Sequence, residues 1–158
     1  MSPLKDLDIG PWSDDPPLGS CATIVKLPDD LTEQKFRMVI IIEDDHSVLR
    51  ALSRLLRAEG YSVRAFERPD TVLAAELPKS RAVLLVDVHL PEMNGVKLCE
   101  ALAASGCSLP VVLMSGHLDA RTREMMRNAD AVATLTKPFS RDTLLSAIRK
   151  ALPNYPAA

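Results

Sequence analysis

Met38-Val39-Ile40-Ile41-Ile42 runs straight into Glu43-Asp44-Asp45. An apolar run rich in β-branched residues reads as a strand covered on both faces, which places it inside a parallel sheet. The carboxyl ends of such strands form the crevice where open α/β folds keep their chemistry, so acids arriving together at that point mark a site. A second apolar run, Ala82-Val83-Leu84-Leu85-Val86, ends in Asp87. Laid beside the first in the same direction, it brings Asp87 next to Glu43 and Asp44. Carboxylates at that range raise one another's pKa unless a cation sits between them, and Mg²⁺ takes oxygen ligands from a few carboxylates, water and substrate phosphate. An acidic Mg²⁺ pocket is the first functional expectation.

The composition narrows the alternatives. A chain of 158 residues, 47% hydrophobic and 25% charged, has room for one ordinary core. Its net charge of −2 argues against nucleic acid as the main partner, because phosphate backbones are held by clustered Lys and Arg. Cys21, Cys99 and Cys107 are odd in number and lack a C-x-x-C spacing, so neither a disulfide framework nor a zinc site is indicated. The apolar runs are of strand length and the amino terminus carries Asp6 and Asp8, which predicts a soluble, cytoplasmic protein with no membrane span.

Residues 1–37 hold five of the twelve prolines, with repeated Asp and no helical or strand period. They read as a mostly disordered extension, with a local strand at Cys21 to Leu27 and a helical turn at Asp30 to Phe36 as its orderable pieces. Beyond the acidic triplet, Val48, Leu49, Leu52, Leu55 and Leu56 recur at helical spacing, Arg50, Arg54 and Arg57 fall on the solvated side, and Gly60 stops the helix. Tyr61 to Phe66 alternates like an edge strand, and Pro69 opens a short helix that Pro78 closes. Val96, Cys99, Leu102 and Ala103 give a third helix ended by Gly106. Val111 to Met114 is a buried strand, Asp119 to Asn128 a weakly amphipathic helix packed through Met125 and Met126, Ala131 to Leu135 a fifth strand, and Ser140 to Leu152 a last helix. Five strands alternating with five helices predict an α/β fold, a doubly wound parallel sheet with helices on both faces.

Two more strand ends face the acids: Ser115 follows the fourth strand and Lys137 the fifth. Glu43, Asp44 and Asp87 are offset by Lys137 only in part, and one Mg²⁺ would complete the formal balance, as in a phosphate-handling site. Asp45 reads as a helix cap.

At these positions the chain resembles the receiver domain of bacterial two-component response regulators. The marks are I-I-I-E-D-D at 40–45, V-D-V-H-L-P-E-M-N-G at 86–95, M-S-G-H at 114–117 and L-T-K-P-F at 135–139. Each is weak alone; in order at consecutive strand ends they are specific, and they cover Met38 to Leu152. The resemblance implies a flavodoxin-like strand order 2-1-3-4-5, a receiver at 38–153 and a short tail at 154–158. It implies that Asp87 takes a phosphoryl group from a sensor histidine kinase or phosphotransfer protein. Mg²⁺ would be held by Asp44, Asp87 and the backbone carbonyl of His89, with Glu43 acting through water. Lys137 and Ser115 would compensate phosphoryl charge, with Lys137–Pro138 in the cis form. The chain would be a phosphoacceptor in a phosphorelay, not a turnover enzyme, whose phosphorylated form alters protein contacts.

One position departs from the family. Where an aromatic residue turns inward behind the switch hydroxyl, this chain has Thr134, and a small β-branched side chain cannot reproduce that swing. The face with Met125, Met126 and Thr134 is still expected to change. His89 and His117, two residues beyond Asp87 and Ser115, border the phosphoryl position and are candidates for tuning the hydrolytic water. Two alternatives stand: a receiver-like docking module independent of phosphorylation, and a Mg²⁺-dependent aspartyl phosphatase, disfavoured because His89 occupies the place of its second Asp. A stand-alone regulator, one lacking its output domain, and a homodimer all fit the sequence.

Overall fold

The structure, a computed structural model, describes residues 37–152. The expectations for the extension before Arg37 and for the tail at 154–158 lie outside the described residues. Ten elements alternate along the chain: β1 (Met38–Ile42), α1 (His46–Ala58), β2 (Ser62–Phe66), α2 (Pro69–Leu73), β3 (Ala82–Asp87), α3 (Gly95–Ala104), β4 (Val111–Ser115), α4 (Ala120–Asn128), β5 (Ala133–Thr136) and α5 (Arg141–Ala151). All four strand pairings are parallel and the order is β2-β1-β3-β4-β5. The predicted five-stranded, doubly wound sheet is the one observed.

The alternation of side chains across each strand divides the core in two. Val39, Ile41, Val83, Leu85, Val112 and Met114 point to α1 and α5, where Leu52, Leu56, Leu144 and Ile148 meet them. Ile40, Ile42, Leu84, Val86 and Leu113 point to the opposite layer, against Val72 of α2, Leu98 and Leu102 of α3 and Met126 of α4. Strands covered on both sides need apolar residues at every position, which is why β1 and β3 carry uninterrupted runs. β2, at the sheet's edge, has no buried residue, in keeping with its alternating sequence.

Apart from α2, which opens on Pro69, the helices start where short polar side chains can accept from free backbone N–H groups. Asp45 accepts from Ser47 and Val48, Asn94 from Lys97, Asp119 from Thr122 and Ser140 from Thr143. Met126 is buried and Met125 packs partly against the same cluster, as the packing reading expects.

Two elements differ from expectation by more than one residue at an end. α2 ends at Leu73 and does not continue to Pro78. The Glu76 carbonyl accepts from Arg64 Nη1 at 2.7 Å, and Leu77 packs against the core, so the segment is held in a connection by tertiary contacts. β5 begins at Ala133 and runs through Thr136, two residues later than Ala131 and one beyond Leu135. Only Leu135 of its four residues is buried, so apolar character alone did not mark its limits.

Candidate acidic and phosphoryl-handling site

Parallel strands end on the same side, and here four of those ends make one rim. Glu43 follows β1, Asp87 closes β3, Ser115 closes β4 and Lys137 follows β5. The register sets Ile42 beside Val86, Asp87 beside Met114 and Ser115 beside Thr136. Glu43 is 1% exposed, Asp87 5% and Ser115 0%, whereas Asp44 is open to solvent.

Lys137 joins the two buried acids. Its Nζ donates to Oε2 of Glu43 at 2.5 Å and to Oδ2 of Asp87 at 2.6 Å. Its peptide bond to Pro138 is cis. The second oxygen of each acid is met by backbone: the Asp45 N–H donates to Glu43 Oε1 at 3.0 Å and the His89 N–H to Asp87 Oδ1 at 2.7 Å. Among the described residues no buried side-chain nitrogen or oxygen lacks a partner.

The electrostatics show what that arrangement lacks. Burial pushes Glu43 up to about 7, the Lys137 and Asp45 hydrogen bonds oppose the shift, and the neighbouring Asp87 adds to it. Burial pulls Lys137 down, but its bonds to Asp87 and Glu43 outweigh that, so its pKa is raised. Acid and base moving upward together is unlike an isolated ion pair. One ammonium divided between two buried carboxylates is too little positive charge for both.

The donor set fits a divalent cation. One oxygen each from Glu43, Asp44 and Asp87 lies within 4.8 Å of the others. An all-oxygen, acidic group with an exposed member suits Mg²⁺, which keeps several waters.

The sequence reading placed Ser115 beside the acids, and its side chain is at this rim but turned elsewhere. Its Oγ donates to the His117 carbonyl at 2.8 Å and accepts from the His117 N–H at 3.2 Å. His89 Nε2 lies 3.2 Å from the same carbonyl. A carbonyl only accepts, so that ring nitrogen carries the hydrogen. The two imidazoles stand edge to face with centroids 6.1 Å apart. Thr134 is exposed on β5 opposite Leu113 and does not join this group.

Residues 39–149 match the sequence profile of the response regulator receiver domain. The chain belongs to the response regulator receiver family. This receiver is 35% identical over 131 residues to the response regulator protein TmoT of Ectopseudomonas mendocina, covering 80% of the chain and 60% of that protein. It is 37% identical over 115 residues to TodT of Pseudomonas putida, covering 73% of the chain and 51% of TodT. The DNA-binding transcriptional regulator NtrC of Proteus hauseri is 33% identical over 117 residues, covering 74% of the chain and 25% of NtrC. The receiver therefore spans between a quarter and three fifths of the length of these relatives. The crystal structure of FixJ-N superposes with a TM-score of 0.69 at 27% identity, covering 77% of the chain and 98% of FixJ-N. Its place is in two-component signalling, and among the described residues no helix is long and apolar enough to cross a membrane.

The fold of this receiver joins Glu43, Asp44, Asp87 and Lys137 and sets Ser115 on the same rim, while Thr134 lies outside the group. It adds two features that residue types did not announce. A Cβ on Gly95 would lie 2.1 Å from the Asp87 carbonyl oxygen, so α3 can start against the acceptor strand only without a side chain there. The signal for it was the Asn94-Gly95 pair ahead of an amphipathic run. The His117 carbonyl, shared by two donors, had no signal, since any residue supplies a carbonyl.

Proposed function

We propose that Asp87 accepts a phosphoryl group from a phosphohistidine on a sensor kinase or phosphotransfer protein, and that the modified form changes the receiver's protein contacts. The observation that carries this reading is the Lys137 ammonium bridging Asp87 and Glu43 beside the open carboxylate of Asp44. Asp87 Oδ2 points at a fixed positive charge, so an incoming phosphoryl oxygen meets a cation already in place. Asp44, Asp87 and the His89 carbonyl would hold Mg²⁺, with Glu43 acting through water. The ion supplies charge compensation on the phosphoryl oxygens. Ser115 must leave the His117 carbonyl to donate to a phosphoryl oxygen, so its bonds in the free protein describe a resting position. His89 and His117, at the mouth of the site, would affect the hydrolytic water. An unchanged dephosphorylation rate in both His89→Ala and His117→Ala would remove that role.

The test is incubation with a small acyl phosphate and Mg²⁺, followed by intact mass. Wild type should gain one phosphoryl group and Asp87→Asn none. A second reading, a docking module independent of phosphorylation, is favoured by the exposed Thr134 in place of an inward-turning aromatic. It predicts that Asp87→Asn binds the downstream protein as wild type does.

A further inference from the structure

A change at Asp87 needs a route to the rest of the fold, and position 134 holds a small exposed residue. A different route is already bonded. Asp87 Oδ1 accepts from the His89 N–H at 2.7 Å, and the His89 ring donates from Nε2 to the His117 carbonyl at 3.2 Å. That carbonyl also accepts from Ser115 Oγ at 2.8 Å. Two residues on, Asp119 starts α4 by accepting from the Thr122 N–H at 2.7 Å. The acceptor carboxylate, the loop after β3, the loop after β4 and the first turn of α4 thus form one continuous series.

We propose that His89 is the positioning residue that carries a change at Asp87 to α4, so that the signal in this chain passes through the His89–His117 contact and bypasses position 134. The proposal rests on the phosphoacceptor reading of Asp87. Conversion of the carboxylate into an acyl phosphate removes its ionised charge, which weakens it as the acceptor for the His89 N–H. The backbone N–H at His89 is then held less firmly. Ser115, turning toward the phosphoryl oxygen, gives up the His117 carbonyl at the same time. A carbonyl accepts two donors, so His89 remains as the donor that keeps the loop after β4 attached to the loop after β3. Displacement of His89 is passed to His117 and from there to Asp119. Thr134, facing solvent on β5, lies outside this series.

The full chain, labelled with ¹⁵N and given Mg²⁺ with beryllofluoride as a phosphoryl mimic, tests it through amide shifts. Wild type should respond at Val88 and at Ala120 to Arg123. His89→Phe, which keeps a ring but no donor, should retain the Val88 response and lose most of that in α4. His89→Gln restores a donor and should restore the α4 response, and Thr134→Ala should leave it intact. An α4 response that survives His89→Phe, or is lost in Thr134→Ala, overturns the proposal. If wild type does not respond even at Val88, the phosphoacceptor reading fails and the contact is judged in the free protein. There, amide exchange at His117 and Leu118 should rise about fivefold in His89→Phe, the worth of one net hydrogen bond, and return in His89→Gln. Equal exchange rates in the three proteins overturn it.

Discussion

The ends of β3 and β5 lie on the same rim and are built differently. All six residues of β3 are buried and its last side chain, Asp87, is gripped at both oxygens. β5 lies at the sheet's edge, one of its four residues is buried, and Thr134 faces solvent. A strand covered on both faces holds a charged end in one geometry, and that is what positioning for phosphoryl transfer requires. An edge strand with short polar side chains has no such hold. Under the phosphoacceptor reading the chemistry is therefore preorganised at β3, whereas β5 has little packing through which position 134 could report it.

The sharpest way to break this contrast is Asp87→Asn, which should abolish the mass gain from a small acyl phosphate. Modification persisting in that variant would mean that the buried strand end is not the acceptor. Next is Lys137→Met, which removes the ammonium shared by Asp87 and Glu43. Loss of one preorganised charge of this kind costs about 100-fold in rate, read as the rate of phosphorylation by the same donor. Gly95→Ala should follow, destabilising the fold by about 3 kcal/mol, the upper range for forcing extra volume into a packed site. Denaturant unfolding measures it, and a loss near zero would show that α3 can retreat from Asp87.

The pH dependence tests the charge deficit directly. Glu43 has a folded pKa of about 7 against an ordinary 4.5, so folding without metal takes up a proton between those values. Its contribution to stability is fully present below 4.5 and is lost as pH rises through 7. A bound cation displaces that proton, so Mg²⁺ should raise the melting temperature more at pH 8 than at pH 6, and Glu43→Gln should flatten the difference. The smallest effect belongs to the other strand end: Thr134→Ala should change stability by less than about 0.5 kcal/mol, as expected for an exposed position. A larger loss would show that β5 is packed more firmly than its burial indicates.

The same contrast explains what the sequence could reveal. β1 and β3 were readable because coverage on both faces demands uninterrupted apolar residues, and Glu43, Asp87 and Lys137 were readable because charge at such strand ends is costly without a partner. β5 was placed two residues early because Ala131 and Val132, though apolar, precede the ladder, while Thr134 and Thr136 lie within it. α2 was extended to Pro78 because nothing local shows that Arg64 claims the Glu76 carbonyl. The resting position of Ser115 could not be foreseen either, since its partner is a backbone oxygen. Side-chain chemistry is written in the sequence; the use of main-chain acceptors is decided by the fold.

Asp45 divides its bonds between two tasks. Its carboxylate caps α1 through Ser47 and Val48, while its own N–H holds Glu43 Oε1. The third acid of the triplet is thereby turned toward the positive end of a helix and is not one of the three acids whose oxygens converge. Fraying of the first turn of α1 would loosen Glu43 as well. Warming should consequently weaken the grip on a divalent ion before the sheet itself melts, making ion affinity a local thermometer for one helical turn.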